Sequence, residues 1–483
     1  MQNSGLKRIA IDPVTRVEGH GKITILLDKN NKVAQTRFHT VEFRGFERFI
    51  RGRLLWEVPV IAQRMCGICP VSHHLTAVKA MDIIEGIDRI PPVAEKIRRL
   101  MHYGQILQSH ATHFFYLASP DILFGFDAAP TGRNISGVLD KFPEFAHQGI
   151  FLRKFGQEII RATVGKRIHG TGAVPGGVNK NLSLEERDEF IRDIDSVLDH
   201  SEKAAQFIRD FTLKNMELSS LGTFRSNHLC IVKEDGAMDL YDGKLKAVSA
   251  SGECLFDQVE VSQYHSFIAE EVRSWSYIKS PFIMSMGLQS GWYRVGPLAR
   301  MNCCTFIDTP KAESMRKEFR AQTDNRPCNR SLWYHWARMI EMLHAAEKIQ
   351  ELLNDPELQG RDIIAPRGER REEAVAVLEA PRGTLIHHYR VDKNDQVTMA
   401  NLIVPTTHNN EPMSRAVKSV VEQFIDGKPE ITEPMLNQVE VVVRAYDPCL
   451  SCSTHAMGKM PLVAEIYDYK GNLVQRVVRR ESD

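Results

Sequence analysis

The stretch RMCGICPVSHH, Arg64 to His74, sets Cys66 and Cys69 three residues apart, with only glycine and isoleucine between them and His73 and His74 close behind. The arrangement returns near the far end of the chain, where DPCLSCSTH, Asp447 to His455, spaces Cys449 and Cys452 by three and again ends on a histidine. Each C-x-x-C unit supplies two sulfurs able to converge on one metal, and two units give the four soft ligands of a zinc, iron-sulfur or nickel centre. Uniting them closes a loop of about 380 residues, which costs only about 5 kcal/mol because loop entropy grows with the logarithm of length. Metal-thiolate binding of roughly 10 to 16 kcal/mol exceeds that. Spacing alone leaves a closed four-cysteine zinc site open, although zinc ribbons place their knuckles about 15 to 20 residues apart. Two separate redox dithiols are a third alternative.

The rest of the composition narrows the class. At 483 residues the chain can bury a large core without disulfide staples. With 62 basic against 61 acidic residues it carries no field that would attract nucleic acid or an anionic membrane. The N-terminus MQNSGLKRIAIDPVTRVEGH has no apolar run of signal-peptide length, and nowhere do eighteen apolar residues follow one another. A soluble, cytoplasmic protein without a membrane span is expected. In a reducing compartment paired cysteines point to metal or redox work. The unpaired Cys230, Cys254, Cys303, Cys304 and Cys328 read as buried small hydrophobes.

Periodicity gives a mainly α fold with small peripheral β-sheets. KITILLDKNNKVAQTRFHTVEF alternates around a polar turn and predicts a β-hairpin within residues 8–43. PPVAEKIRRLMHYGQILQSHATHFFYLA, SLWYHWARMIEMLHAAEKIQELLND and PMSRAVKSVVEQFID carry helical spacing. So does the long segment from Ser183, which opens on a capping box with Glu186. QVTMANLIVP and LVAEIYDYKGNLVQRVV read as strands. HGTGAVPGG, His169 to Gly177, misses the spacing of a dinucleotide loop. No repeat or long linker divides the chain, so a single body over residues 1–455 is predicted.

At these motifs the sequence resembles the large, catalytic subunit of the nickel-iron hydrogenases. RVEGHG (Arg16 to Gly21), FRGFE (Phe43 to Glu47), RMCGICPVSHH, EAPRG (Glu379 to Gly383), VPTTHN (Val404 to Asn409) and DPCLSCSTH stand in the family's order over nearly the whole chain. The wording of CGICPVSHH and EFRGFERFIRGR is closest to the soluble, NAD-reducing bidirectional type. A related quinone-reducing subunit of respiratory complex I lacks the four cysteines. Where membrane-linked hydrogenases carry an Asp-His pair, this chain has Ser109-His110, which removes an acid from that position.

The resemblance implies reversible heterolytic cleavage of H2 to protons and electrons. Cys66, Cys69, Cys449 and Cys452 would bind nickel, and Cys69 and Cys452 would bridge to an iron carrying CO and two CN ligands. Cys449 is the implied base, since a metal-bound sulfur keeps some basicity. Arg382 would stabilise charge, because its pKa above roughly 12 makes deprotonation costly. Glu18 would relay the proton outward. His73 would hydrogen-bond the bridging sulfur, a role with no counterpart for His74, while Pro405 and Thr406 would face the cyanides. Glu47, the backbone carbonyl near Leu402, and His455 would hold magnesium or iron at a second site. Electrons would leave through an iron-sulfur small subunit to flavin (FMN) and NAD on diaphorase subunits. Residues 456–483 resemble a maturation extension, removed by a dedicated protease after nickel-insertion factors have acted. A permanent hairpin is the alternative for that tail, as a non-catalytic zinc scaffold is for the whole chain.

Overall fold

The computed structural model describes residues 6–455, 462–467 and 473–479. Its N-terminal sheet is built as the alternation requires. Strands β1 (Lys7–Ile11), β2 (Gly21–Leu27) and β3 (Val33–Thr40) pair antiparallel, with Ile23, Ile25 and Leu27 turned inward. Asp28 closes the β2–β3 turn, its carboxylate accepting the N–H groups of Asn30 and Lys32. The sequence marked the hairpin but not β1, whose residues are largely exposed and alternate weakly.

Two further sheets escaped the periodicity reading. One joins β4 (Asn227–Val232), β5 (Lys244–Val248) and β6 (Cys254–Val259), with the short β7 (Tyr293–Arg294) parallel to β4. Cys254 opens the edge strand β6 and is exposed, against expectation, whereas Cys230, Cys303, Cys304 and Cys328 are buried. The other sheet joins β8 (Glu373–Ala380), β9 (Gly383–Val391) and β10 (Val397–Ile403) in a meander. Strands β8 and β9 are buried along nearly their whole length, so they carry no alternation to read. Only β10 was predicted.

The body is helical. Pro70 occupies the first turn of α1 (Pro70–Ile84), and Pro92 that of α2 (Pro92–Thr112), where a missing N–H costs nothing. Helix α3 (Pro143–Val164) packs along α2, and α4 (Leu184–Lys214) starts at the predicted reciprocal cap of Ser183 and Glu186. Helix α5 (Tyr334–Asn354) is buried on nearly all sides because it packs against both α2 and α4. Helices α6 (Asn410–Phe424) and α7 (Glu433–Ala445) follow towards the second cysteine pair.

The α2–α3 crossing depends on two facing glycines. A Cβ on Gly156 would lie 2.6 Å from the carbonyl oxygen of Gly104, and one on Gly104 would lie 2.8 Å from a methyl of Ile159. Gly156→Ala should therefore force the helices apart and destabilise the fold by roughly 1–3 kcal/mol. Denaturant unfolding checks this; a gain in stability would show that the backbones do not need the close approach.

Beyond His455, Leu462–Tyr467 and Leu473–Arg479 pair antiparallel with one another. The turn at Lys470-Gly471 lies outside the described residues.

Candidate metal centre

The first cysteine pair sits where a short 3-10 turn, Gln63–Met65, gives way to α1. Cys66 is extended and Cys69 is the N-cap residue, so both side chains leave the backbone at the mouth of a helix. Cys449 likewise precedes the short helix Leu450–Ser453 that contains Cys452. All four thiols are free and buried, and their sulfurs lie within 4.8 Å of one another. Cys449 and Cys452 are 2.8 Å apart, Cys66 and Cys449 3.3 Å, and Cys69 and Cys452 3.6 Å. Two separate dithiols are thereby ruled out. The backbone N–H groups of Ile68 and Cys69 both point at Cys66 Sγ, at 3.2 Å, and favour its thiolate.

Backbone pairing draws the chain ends together. Glu18 bridges to Cys449 in parallel β fashion, its carbonyl accepting the Leu450 N–H at 3.0 Å and its carboxylate the Ser451 N–H at 3.1 Å. Gly19, at φ 83°, lets the two strands approach; a Cβ there would lie 2.8 Å from that of Leu450. Farther along, Arg44 and Gly45 donate to the Thr454 carbonyl and Glu47 to that of His455, all at 3.1 Å.

Arg382 occupies the turn between β8 and β9, so the hairpin holds its guanidinium over the thiols. Its Nε donates to the Asp447 carbonyl at 2.6 Å and one terminal nitrogen to the Asp447 carboxylate at 3.1 Å, while the other has no protein partner. Burial opposes its charge, but Asp447 and the surrounding sulfurs more than offset that, and the group stays cationic. A small enclosed cavity lies beneath it, reached by Cys69, Cys449, Cys452, His73, Pro405 and Thr406. Thr406 Oγ1 accepts the Cys449 N–H at 2.9 Å, which leaves its own hydroxyl proton free to donate.

His73, one turn into α1, places Nε2 3.4 Å from Cys452 Sγ, and burial lowers its pKa to about 4, so the ring is neutral. Glu47, Leu402 and His455 also meet. Glu47 Oε1 accepts the Leu402 N–H at 2.8 Å and lies 3.6 Å from His455 Nε2, whose ring is oriented by a 2.8 Å contact from Nδ1 to the Cys452 carbonyl. Ser109 and His110 are buried in α2, with His110 3.7 Å from Glu341. His74 is packed within α1.

Four residues near the centre were not singled out from sequence. Asp447, inside a quoted motif, was passed over because its charge pairs with Arg382 only through the fold. His169, in the glycine-rich stretch set aside as no nucleotide loop, contacts the Cys66 carbonyl at 2.9 Å. His387 and Tyr389 lie on β9, whose pleat became visible only with the structure.

The donor set suits a soft, redox-active metal: four buried sulfurs, with a cavity against Cys69, Cys449 and Cys452 that leaves room for a second atom. A structural zinc site is closed by its four ligands and has no use for that space.

Comparison with known proteins agrees. Residues 44–128 and 196–455 match the family described as nickel-dependent hydrogenase, and residues 8–43 match one described as HoxL-like. The NAD-reducing hydrogenase HoxS subunit beta of Cupriavidus necator is 45% identical over 98% of this chain and 100% of its own length. One polypeptide of the F420-non-reducing hydrogenase vhu of Methanococcus voltae is 44% identical over 86% of this chain and 98% of its own. A crystal structure of an NAD+-reducing [NiFe]-hydrogenase in the H2-reduced state superposes with a TM-score of 0.91 at 50% identity, covering 93% of this chain and 99% of that one.

Proposed function

The chain belongs to the nickel-dependent hydrogenase family, and from that premise we propose how its residues divide the cleavage of H2. It is a hydrogenase catalytic subunit of the NAD-reducing type, acting at a nickel-iron centre within a hetero-oligomer. The observation that carries the reading is the convergence of four buried thiols beside a cavity roofed by Arg382.

Cys66 and Cys449 would hold nickel, and Cys69 and Cys452 would hold nickel and iron; Cys69, Cys449 and Cys452 all line the cavity. When bound, the metals supply a redox-active site with an open position at which H2 is polarised. Cys449 Sγ receives the proton. Arg382 stabilises negative charge at the sulfurs, since its own charge is fixed by Asp447. Glu18, joined through its backbone to the segment that bears Cys449, takes the proton outward. The free hydroxyl of Thr406 and the backbone beside Pro405 would donate to the cyanides of an iron that would also carry CO. Glu47, the Leu402 carbonyl and His455 would hold magnesium or iron, which would tie the C-terminal loop to the core.

Among the described residues no other group of three or more His, Cys, Asp or Glu side chains is placed to hold a metal or a cluster. The reading as an NAD-reducing hydrogenase has electrons pass to a small iron-sulfur subunit, then on to a diaphorase module with FMN and NAD. No helix among the described residues is long and apolar enough to cross a membrane; cytoplasmic placement belongs to the reading as an NAD-reducing hydrogenase.

Elemental analysis of the purified complex should find about one nickel per chain together with iron, and infrared spectra should show the carbonyl and cyanide stretches that protein alone lacks. One zinc with neither metal would restore the scaffold reading.

Residues 456–483 are read as an extension, cut after His455 or Ala456 by the maturation protease once nickel has been inserted. The family match ends at His455, and the carbonyls of Thr454 and His455 are already bound by the N-terminal segment. Intact mass of active enzyme should correspond to a chain ending there; a full-length chain with full nickel and activity would favour the permanent hairpin.

A further inference from the structure

Cys452 Sγ is the first of a row of hydrogen-bonding atoms that continues past His73. His73 Nδ1 lies 3.3 Å from His387 Nε2, and His387 Nδ1 lies 2.9 Å from the hydroxyl of Tyr389. All three side chains are buried, His387 and Tyr389 completely. Strand β9 makes the row possible, because residues two apart on a strand share a face. The intervening His388 points elsewhere, to Tyr264 and Glu373.

Donor and acceptor rules allow the row one polarity. A metal-bound thiolate only accepts, so His73 must donate from Nε2. A neutral imidazole has a single N–H, so His73 Nδ1 must then accept, and His387 must donate from Nε2. That leaves His387 Nδ1 as an acceptor, and the Tyr389 hydroxyl is the group that donates to it. No link is left with two donors or two acceptors facing each other.

We propose that His387 and Tyr389 are positioning residues that act through His73: they fix its tautomer and ring orientation, and so set how much negative charge Cys452 Sγ shares with the metals. The inference rests on the reading of Cys452 as the sulfur shared by nickel and iron. Each hydrogen bond polarises the next, so a donor at the far end strengthens the bond at the sulfur. Losing it leaves the sulfur richer in electrons and iron with more density to return to its ligands. The carbonyl and cyanide stretches then fall in wavenumber, and the centre is reduced at a lower potential.

The test compares the nickel-loaded holoenzyme with His387→Leu, His387→Gln and Tyr389→Phe, by infrared spectroscopy and redox titration. Leucine should move every iron-ligand band down, phenylalanine should move them the same way but less far, and glutamine, whose amide can donate to His73, should return them towards wild type. A role confined to packing would change unfolding temperature and leave the bands in place. Wild-type bands in His387→Leu, or a glutamine variant shifted as far as the leucine one, would overturn the proposal. Should His387→Leu take up no nickel, Tyr389→Phe decides, since it removes one oxygen and keeps the ring in the hydrophobic cluster that also holds Ile50, Leu55 and Met81; unshifted bands there overturn it. Absence of the bands from wild type would instead strike the iron assignment, and this inference with it.

Discussion

Cys66→Ser should give a folded chain that no longer retains nickel. The sulfur of Cys66 accepts two backbone N–H groups, and a serine oxygen accepts the same pair, so the turn leading into α1 survives the exchange. A hydroxyl, however, is hard and stays protonated near neutral pH, and it cannot replace a soft thiolate on nickel. With roughly 10–16 kcal/mol of metal binding spread over four sulfurs, losing one removes about 3–4 kcal/mol, a factor of roughly 10²–10³ in affinity. Turnover should fall below detection. Nickel content after gel filtration, measured beside circular dichroism, checks this; a variant with full nickel and native activity would show that Cys66 is not a ligand.

Glu18→Gln should leave the metals in place and slow turnover by about 10²–10⁴-fold, the usual worth of a positioned proton carrier. Glutamine keeps an oxygen for the Ser451 N–H, and the backbone bridge to Cys449 does not involve the side chain, so the site keeps its shape. What is lost is the ability to take up and release a proton. Exchange of H2 against D2O should be suppressed in parallel with turnover while nickel content is unchanged. Normal exchange would remove Glu18 from the relay and leave it as an acceptor that organises the loop.

The metal centre was legible because its chemistry demands particular atoms at short spacing: two C-x-x-C pairs are visible whatever fold surrounds them. Helices with one apolar face were legible too, down to the cap at Ser183 and Glu186. Strands β8 and β9 were not, since burial on both faces erases the alternation that distinguishes a strand. What depends on those strands was lost with them. Arg382 could be named from its motif, but its place on a hairpin turn could not, and His387 and Tyr389, in the mixed stretch GTLIHHYRV, belong to no motif that sets them apart. Cys254 was misjudged for the converse reason, as composition says what cysteines usually do and not which strand lies at an edge.

That the four sulfurs come from opposite ends of the chain has a consequence in time. A ribosome adding about 5–20 residues per second needs roughly 20–80 s to go from Cys66 to Cys449. Throughout that interval the first pair of thiols is finished and the second does not yet exist. A two-sulfur site binds soft metals weakly and without discrimination, so these early thiols are open to zinc, copper and oxidants. Selectivity for nickel therefore cannot be exercised during synthesis; it belongs to the completed chain. A prematurely terminated product, however well its helices form, lacks half the ligands and is left without the metal.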